Sequence, residues 1–136
     1  MWPRVNGLRT LELGSPGEMR NRLNGLVLAG HKRATTGLRD YHYEAESEEI
    51  EQVGERLVLL DNDGQPLATV VVTAVAVVPF GEVTWEFASS EGEGDASLEE
   101  WRDGHRAFWA REGIEVTDET PAICISFRLE DGEPQR

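Results

Sequence analysis

A chain of 136 residues carries 26 acidic residues against 13 Lys and Arg, a net charge of −13, and 39% of it is apolar. That length builds one domain around a single core, and that apolar share sets it apart from disordered chains. The charge excludes a broad basic face for a DNA duplex or a long RNA strand, since such binding neutralises phosphates with clustered cations; small or weakly charged ligands fit the field better.

At the start of the chain, Met1-Trp2-Pro3-Arg4 has neither the basic beginning nor the apolar stretch of a signal peptide, and no lipidation motif is present. The first element is predicted at Ser15-Pro16-Gly17-Glu18, where Ser15 can cap a helix, Pro16 can take its first position and Glu18 can close a capping box. Met19, Leu23, Leu26 and Val27 then share one helical face, and Gly30 stands where a left-handed residue ends the helix. From Gly37 to Gly54 the acidic run Glu44 to Glu51 shows no apolar period and reads as a loop or irregular edge. Arg56 to Leu60 and Leu67 to Val78 flank Asp61-Asn62-Asp63-Gly64, which predicts a β-hairpin. The run Leu67 to Phe80 is short for a membrane-spanning helix and rich in β-branched residues, so it reads as a strand.

Past Pro79, Glu82 to Ser90 predicts a short helix, broken by the two glycines of Glu91-Gly92-Glu93-Gly94-Asp95. Asp95 or Ser97 caps a second long helix, in which Leu98, Trp101, His105, Phe108 and Trp109 recur at three and four residues until Gly113. A last strand, Ala122 to Leu129, holds the lone Cys124 as a core thiol, which suits a reducing compartment, and leads to a polar tail. These elements predict an α+β domain over residues 1–136, with a core over about 15–130. The expected protein is cytoplasmic, a monomer or homodimer, and has no membrane partner.

Two stretches carry candidate chemistry. Gly30-His31-Lys32-Arg33-Ala34-Thr35-Thr36 brings a flexible glycine, an amine and hydroxyls together at the exit of a helix. A hydroxyl is a weak nucleophile until a base removes its proton, and a desolvated lysine can be that base. In the second stretch, Glu91, Glu93 and Asp95 sit among glycines that let backbone approach a ligand closely, and they can orient the lysine or transfer a proton. Backbone N–H groups near Gly30 or Gly92 are candidates for holding an oxyanion. No metal site is predicted, since no His neighbours these acids at ligand spacing, and nothing asks for a cofactor. His105, Tyr41, Trp85 and Trp101 offer packing or stacking surfaces.

Taken in order, these motifs resemble the ASCH family, a relative of the PUA domains, from about Leu23 to Phe127. The family's G-x-K-x-x-T element stands as Gly30-His31-Lys32-Arg33-Ala34-Thr35. Val78-Pro79-Phe80-Gly81-Glu82-Val83, then Phe87-Ala88, Glu91-Gly92-Glu93-Gly94-Asp95, Ser97-Leu98, Trp101-Arg102 and His105 look like its longer bacterial branch. The resemblance implies a small PUA-like β-barrel of mixed or antiparallel strands with flanking α-helices. It also implies a catalytic trio of Lys32, Thr35 and Glu91, with Thr36 and Lys32 as rival nucleophiles. Gly30, Arg33, Thr36, Arg39, Tyr41, Trp85, Glu93, Asp95, Trp101 and His105 are the expected substrate-binding residues. Related sequences often carry a glutamate near Ile125, which is missing here.

What the resemblance implies for function is an amidohydrolase of small N-acylated nucleosides or nucleobases such as N4-acylcytidine. One alternative is an RNA-binding module or ribonuclease, with Lys32, Arg33, Arg39 and Arg102 as its phosphate-contacting patch. The other is a non-catalytic sensor of a nucleoside or similar metabolite using the same cleft.

Overall fold

The hairpin predicted around Asp61 to Gly64 forms the middle of a six-stranded sheet in the computed structural model, which describes residues 1–130. Its strands are β4 (Arg56–Leu60) and β5 (Pro66–Pro79), antiparallel from Leu60 opposite Pro66. Asp61 Oδ1 accepts from the N–H groups of Asp63 and Gln65, both at 2.8 Å, and Gly64 takes the left-handed conformation that closes the turn. Around this pair the sheet adds β1 (Arg4–Val5), β2 (Leu8–Leu11), β3 (Ala34–Leu38) and β6 (Pro121–Leu129), in the order β1-β2-β4-β5-β6-β3. Among the described residues, only the β2–β4 pairing is parallel. The sheet is mixed and not closed: a seam stays open between its edge strands, β1 and β3.

Both faces of β6 are covered along most of its length, which is why it reads as an apolar run and not as an alternating one. Its Ile123, Ile125 and Phe127 join Leu57, Leu59, Val70 and Val72 in one core, plugged by Leu23 and Val27 of α1 (Glu18–Leu28). Its Ala122 and Cys124 face the other core, built with Ala88 of α2 (Trp85–Ser90) and Trp101 and Trp109 of α3 (Leu98–Arg111). Phe80 stacks on Trp101 at 5.6 Å between ring centroids. Cys124 is a buried thiol whose pKa burial pushes up to about 12. Among the described residues, no helix is long and apolar enough to cross a membrane.

Several boundaries depart from the sequence reading. Helix α1 begins at Glu18 after Gly17, without a side-chain cap, and the hairpin tip holds Gly17 itself. Asn62 Oδ1 accepts from Gly17 N at 2.7 Å, and Asn62 Nδ2 donates to Gly17 O. Ser97, not Asp95, caps α3, and Thr84 caps a shorter α2 preceded by a 3-10 turn at Phe80–Glu82. The stretch read as turn and loop contains β3, a π-helical turn at Arg39–Tyr43 and a 3-10 turn at Glu44–Glu46. Strands β1 and β2 were not expected, so the folded unit starts ahead of residue 15. The polar tail from residue 131 lies outside the described residues.

Leu59 is fully enclosed, whereas Val77 on the same sheet is 47% exposed. Leu59→Ala is expected to cost about 2–5 kcal/mol of unfolding free energy in urea titration, and Val77→Ala about 1 kcal/mol or less.

Candidate functional site

Two glycine turns meet to form the site. Helix α1 ends in a Schellman motif: Gly30, at φ 82°, donates to Val27 O, and His31 N donates to Leu26 O at 2.9 Å. That turn aims Lys32 back into the protein. Opposite, Gly92 sits at φ 66° so close to the turn that a Cβ there would lie 1.9 Å from His31 O. Arg33 N also donates to Ser90 O at 2.9 Å, which ties the two segments together. The loop after α2 therefore presents Glu91 and Glu93 directly to Lys32.

Lys32 is 2% exposed and Glu91 1%. The ammonium donates to Ala34 O at 2.8 Å, Glu91 Oε1 at 3.3 Å and Glu93 Oε2 at 2.7 Å, which uses all three of its protons. Glu91 also accepts from the Thr36 hydroxyl at 2.6 Å and lies 3.5 Å from His105 Nε2. Burial alone would raise the Glu91 pKa, but Lys32, His105 and the Thr36 hydroxyl outweigh it and hold the carboxyl near 2. His105 shows the converse balance. Burial disfavours its cation, yet the Glu91 carboxylate more than offsets this and the imidazole pKa is raised. Its Nδ1 contacts Trp101 O at 2.9 Å, so that nitrogen carries a proton.

This buried network floors a cleft of about 260 Å³ beside β3. A second cavity of about 450 Å³ follows the open seam toward β2, and Thr35 and Thr36 line both. The antiparallel register sets Thr35 opposite Ile125 and Thr36 opposite Cys124, so the two hydroxyls leave opposite faces of the strand. Thr36 is committed to Glu91; Thr35 makes no side-chain hydrogen bond among the described residues. Residues 10–131 match the ASCH domain. The chain belongs to the ASCH family.

Its fold is similar to a crystal structure of an ASCH domain from Lactobacillus crispatus JV V101, at a TM-score of 0.76 and 33% identity over 88% of this chain and 77% of that one. Protein EF3133 from Enterococcus faecalis V583 matches at a TM-score of 0.76 and 31% identity, covering 88% of this chain and 74% of that one. The hypothetical protein PH0355 shares the fold alone, at a TM-score of 0.55 and 19% identity, over 78% of this chain and 89% of that one. A comparison with curated proteins found no match.

Of the residues the sequence proposed for this ASCH site, Lys32, Thr35, Thr36, Glu91, Glu93, Asp95 and His105 line the smaller cavity, and Tyr41 lines the larger. Five lie elsewhere. Gly30 shapes its turn, Arg33 points to solvent, and Arg39 pairs with Asp40 and Glu44. Trp85 stands half-exposed at the start of α2, and Trp101 is fully buried between Phe80 and His105. The phosphate-contacting patch is not assembled, because Lys32 is enclosed by acids and Arg102 donates to Gly81 O at 2.7 Å. The N–H groups of Gly30 and Gly92 are likewise spent, on Val27 O and Ser89 O, so neither is free for an oxyanion.

The sequence reading missed Arg22, whose Nη2 donates to Glu93 O at 2.6 Å, and Trp2, Tyr43 and Glu51 around the larger cavity. The Tyr43 hydroxyl donates to Glu51 at 2.8 Å, and burial raises the pKa of that carboxyl. Phe108 and Trp109 also line the cleft; their helical spacing marked them only as packing residues.

Two outcomes follow from this geometry. Gly92→Ala is expected to break the contact between the turns and lower the melting temperature, since the added Cβ meets backbone, which cannot swing aside. Because the Glu91 pKa is depressed from 4.5 to about 2, its contribution is present above about pH 4.5 and is lost as pH falls toward 2. The melting-temperature gap between wild type and Glu91→Gln is therefore expected to be widest near neutrality and to narrow below about pH 4.

Proposed function

We propose that this ASCH protein is an amidohydrolase acting on small N-acylated nucleosides or nucleobases, with N4-acylcytidine as the type of substrate. The observation that carries the reading is a lysine buried against a carboxylate at 3.3 Å, on the floor of a cavity that an unengaged threonine hydroxyl also lines. A surface ion pair would do nothing of this kind. Enclosed between Glu91 and Glu93, Lys32 has two adjacent proton acceptors, so one proton can leave and return without crossing solvent.

In the proposed reaction, Lys32 passes a proton to Glu93, 2.7 Å away, while Glu91 stays ionised, and the free amine takes the hydroxyl proton of Thr35 as Oγ1 bonds to the amide carbonyl carbon. When the C–N bond breaks, Lys32 gives that proton to the leaving nitrogen and the free amine of the base departs. Water then hydrolyses the acyl-threonine ester: its hydroxide joins the acyl carbon, its proton restores the Thr35 hydroxyl, a carboxylic acid leaves, and Glu93 returns its proton to Lys32. Thr36 and His105 act as positioning residues, holding the Glu91 carboxylate from two sides.

The charge of the larger cavity supports an uncharged substrate over a phosphodiester. Glu12, Glu46, Glu51 and Glu112 line the larger cavity, and no Lys or Arg does. Polymeric RNA would meet repulsion there and find no compensating patch.

The test is release of cytidine from N4-acetylcytidine, followed by ultraviolet absorbance. Lys32→Ala and Thr35→Ala are expected to lower kcat/KM by about 10²–10⁴-fold with unfolding midpoints still measurable, and Glu91→Gln by about 10²-fold. Wild-type protein that is stabilised by the nucleoside but never turns it over would overturn the catalytic reading in favour of a sensor. Tight, salt-sensitive RNA binding would overturn the choice of a small substrate.

A further inference from the structure

Strand β3 lies at the edge of the sheet, and its pairing with β6 fixes which of its backbone groups are free. Phe127 N donates to Arg33 O at 2.9 Å, which makes Arg33 and Phe127 a hydrogen-bonded pair of the antiparallel ladder. Counting along the register, Thr35 with Ile125 and Gly37 with Ile123 are the next such pairs. The N–H and C=O groups of Ala34, Thr36 and Leu38 therefore point the other way, out of the sheet.

Two of these outward groups have side-chain partners. Ala34 O accepts from Lys32 Nζ at 2.8 Å, and Leu38 N donates to His42 Nδ1 at 2.8 Å. Between them stands Thr36, with an outward N–H beside an outward C=O and no partner for either among the described residues. Thr36 lines both cavities. An ordinary edge strand would accept another strand, which needs bonding groups at alternate residues along its length. Here Ala34 O and Leu38 N are taken on either side, and Thr36 between them keeps both its donor and its acceptor.

We propose that this peptide edge is a specificity element: the N–H and C=O of Thr36 read a planar ligand edge that presents an acceptor beside a donor, as the ring nitrogen and adjacent amino or amide N–H of a cytosine do. Deacylation leaves that edge intact, so acylated base and free product bind alike. The choice of cytosine as ligand rests on the amidohydrolase reading; the recognition geometry rests on the strand. A site built to bond a polar edge discriminates strongly against an analogue lacking it, because its own groups are then left unpaired.

The experiment uses the full chain labelled with ¹⁵N and titrated with cytidine or with 3-deazacytidine, the isostere with C–H in place of the ring nitrogen. Cytidine is expected to move the Thr36 amide proton downfield, and 3-deazacytidine to bind about tenfold more weakly without that shift. The same discrimination is expected in Thr36→Ala, which keeps the peptide group and loses the hydroxyl. Equal binding of the two nucleosides, an unmoved Thr36 amide, or discrimination lost in Thr36→Ala overturns the assignment. So does cytidine that fails to bind. Turnover of N4-acetylcytidine, read on the same samples, separates the two ideas: turnover with an unmoved Thr36 amide removes only the recognition element, and a Thr36 shift without turnover removes only the hydrolysis.

Discussion

The site depends on one contact that has no chemistry in it: Gly92 pressed against the backbone of His31. Burying an ammonium or a carboxylate alone costs several kcal/mol, and the pair is tolerable only when geometry is good and the remaining donors and acceptors are satisfied. The glycine contact sets that geometry by bringing the loop after α2 onto the turn after α1. Lys32 then meets three acceptors, and Glu91 meets Lys32, Thr36 and His105. Neither turn could hold its charge without the other. Fold and site are thus joined through backbone packing, and the charged pair records how closely the two turns approach.

The open seam is the second constraint. A closed barrel would bond β3 to a neighbour and fill its interior with side chains. Leaving β3 unpaired on one side costs ladder hydrogen bonds, which Lys32 and His42 partly replace from their side chains. The gap is what makes room for two cavities that share Thr35 and Thr36. Four carboxylates in the larger one are consistent with the acidity of the whole chain, and the surface charge extends into the place where a ligand would lie.

Elements with local signals were legible in the sequence. The hairpin announced itself through Asp61 to Gly64, α1 and α3 through apolar spacing and terminal glycines, and β6 through its apolar run. The first turn and the acidic loop stood out because each combines glycine with charge. Strand β3 was hidden, since Ala-Thr-Thr-Gly-Leu has little β pattern and is held by pairing with β6, far off in the chain. The bonds from Asn62 to Gly17, just ahead of α1, were hidden for the same reason. Arg33, Arg39 and Trp85 were drawn into the proposed site by residue type, whereas burial and register decide which side chains reach a cleft. Thr35 and Thr36 differ only by the parity of a strand that the sequence did not reveal.

The outer wall of the larger cavity comes from segments that have no part in the proton network. Trp2 is tethered there by its N–H to Glu48 Oε2 at 2.7 Å and by Nε1 to His42 O at 3.1 Å, alongside the turns over Arg39–Glu46. None of these residues touches Lys32 or Glu91. Drift in the wall can therefore reshape the larger cavity while the Lys32–Glu91 floor stays as it is, so the shape of the space and the buried charge beneath it are free to evolve at different speeds.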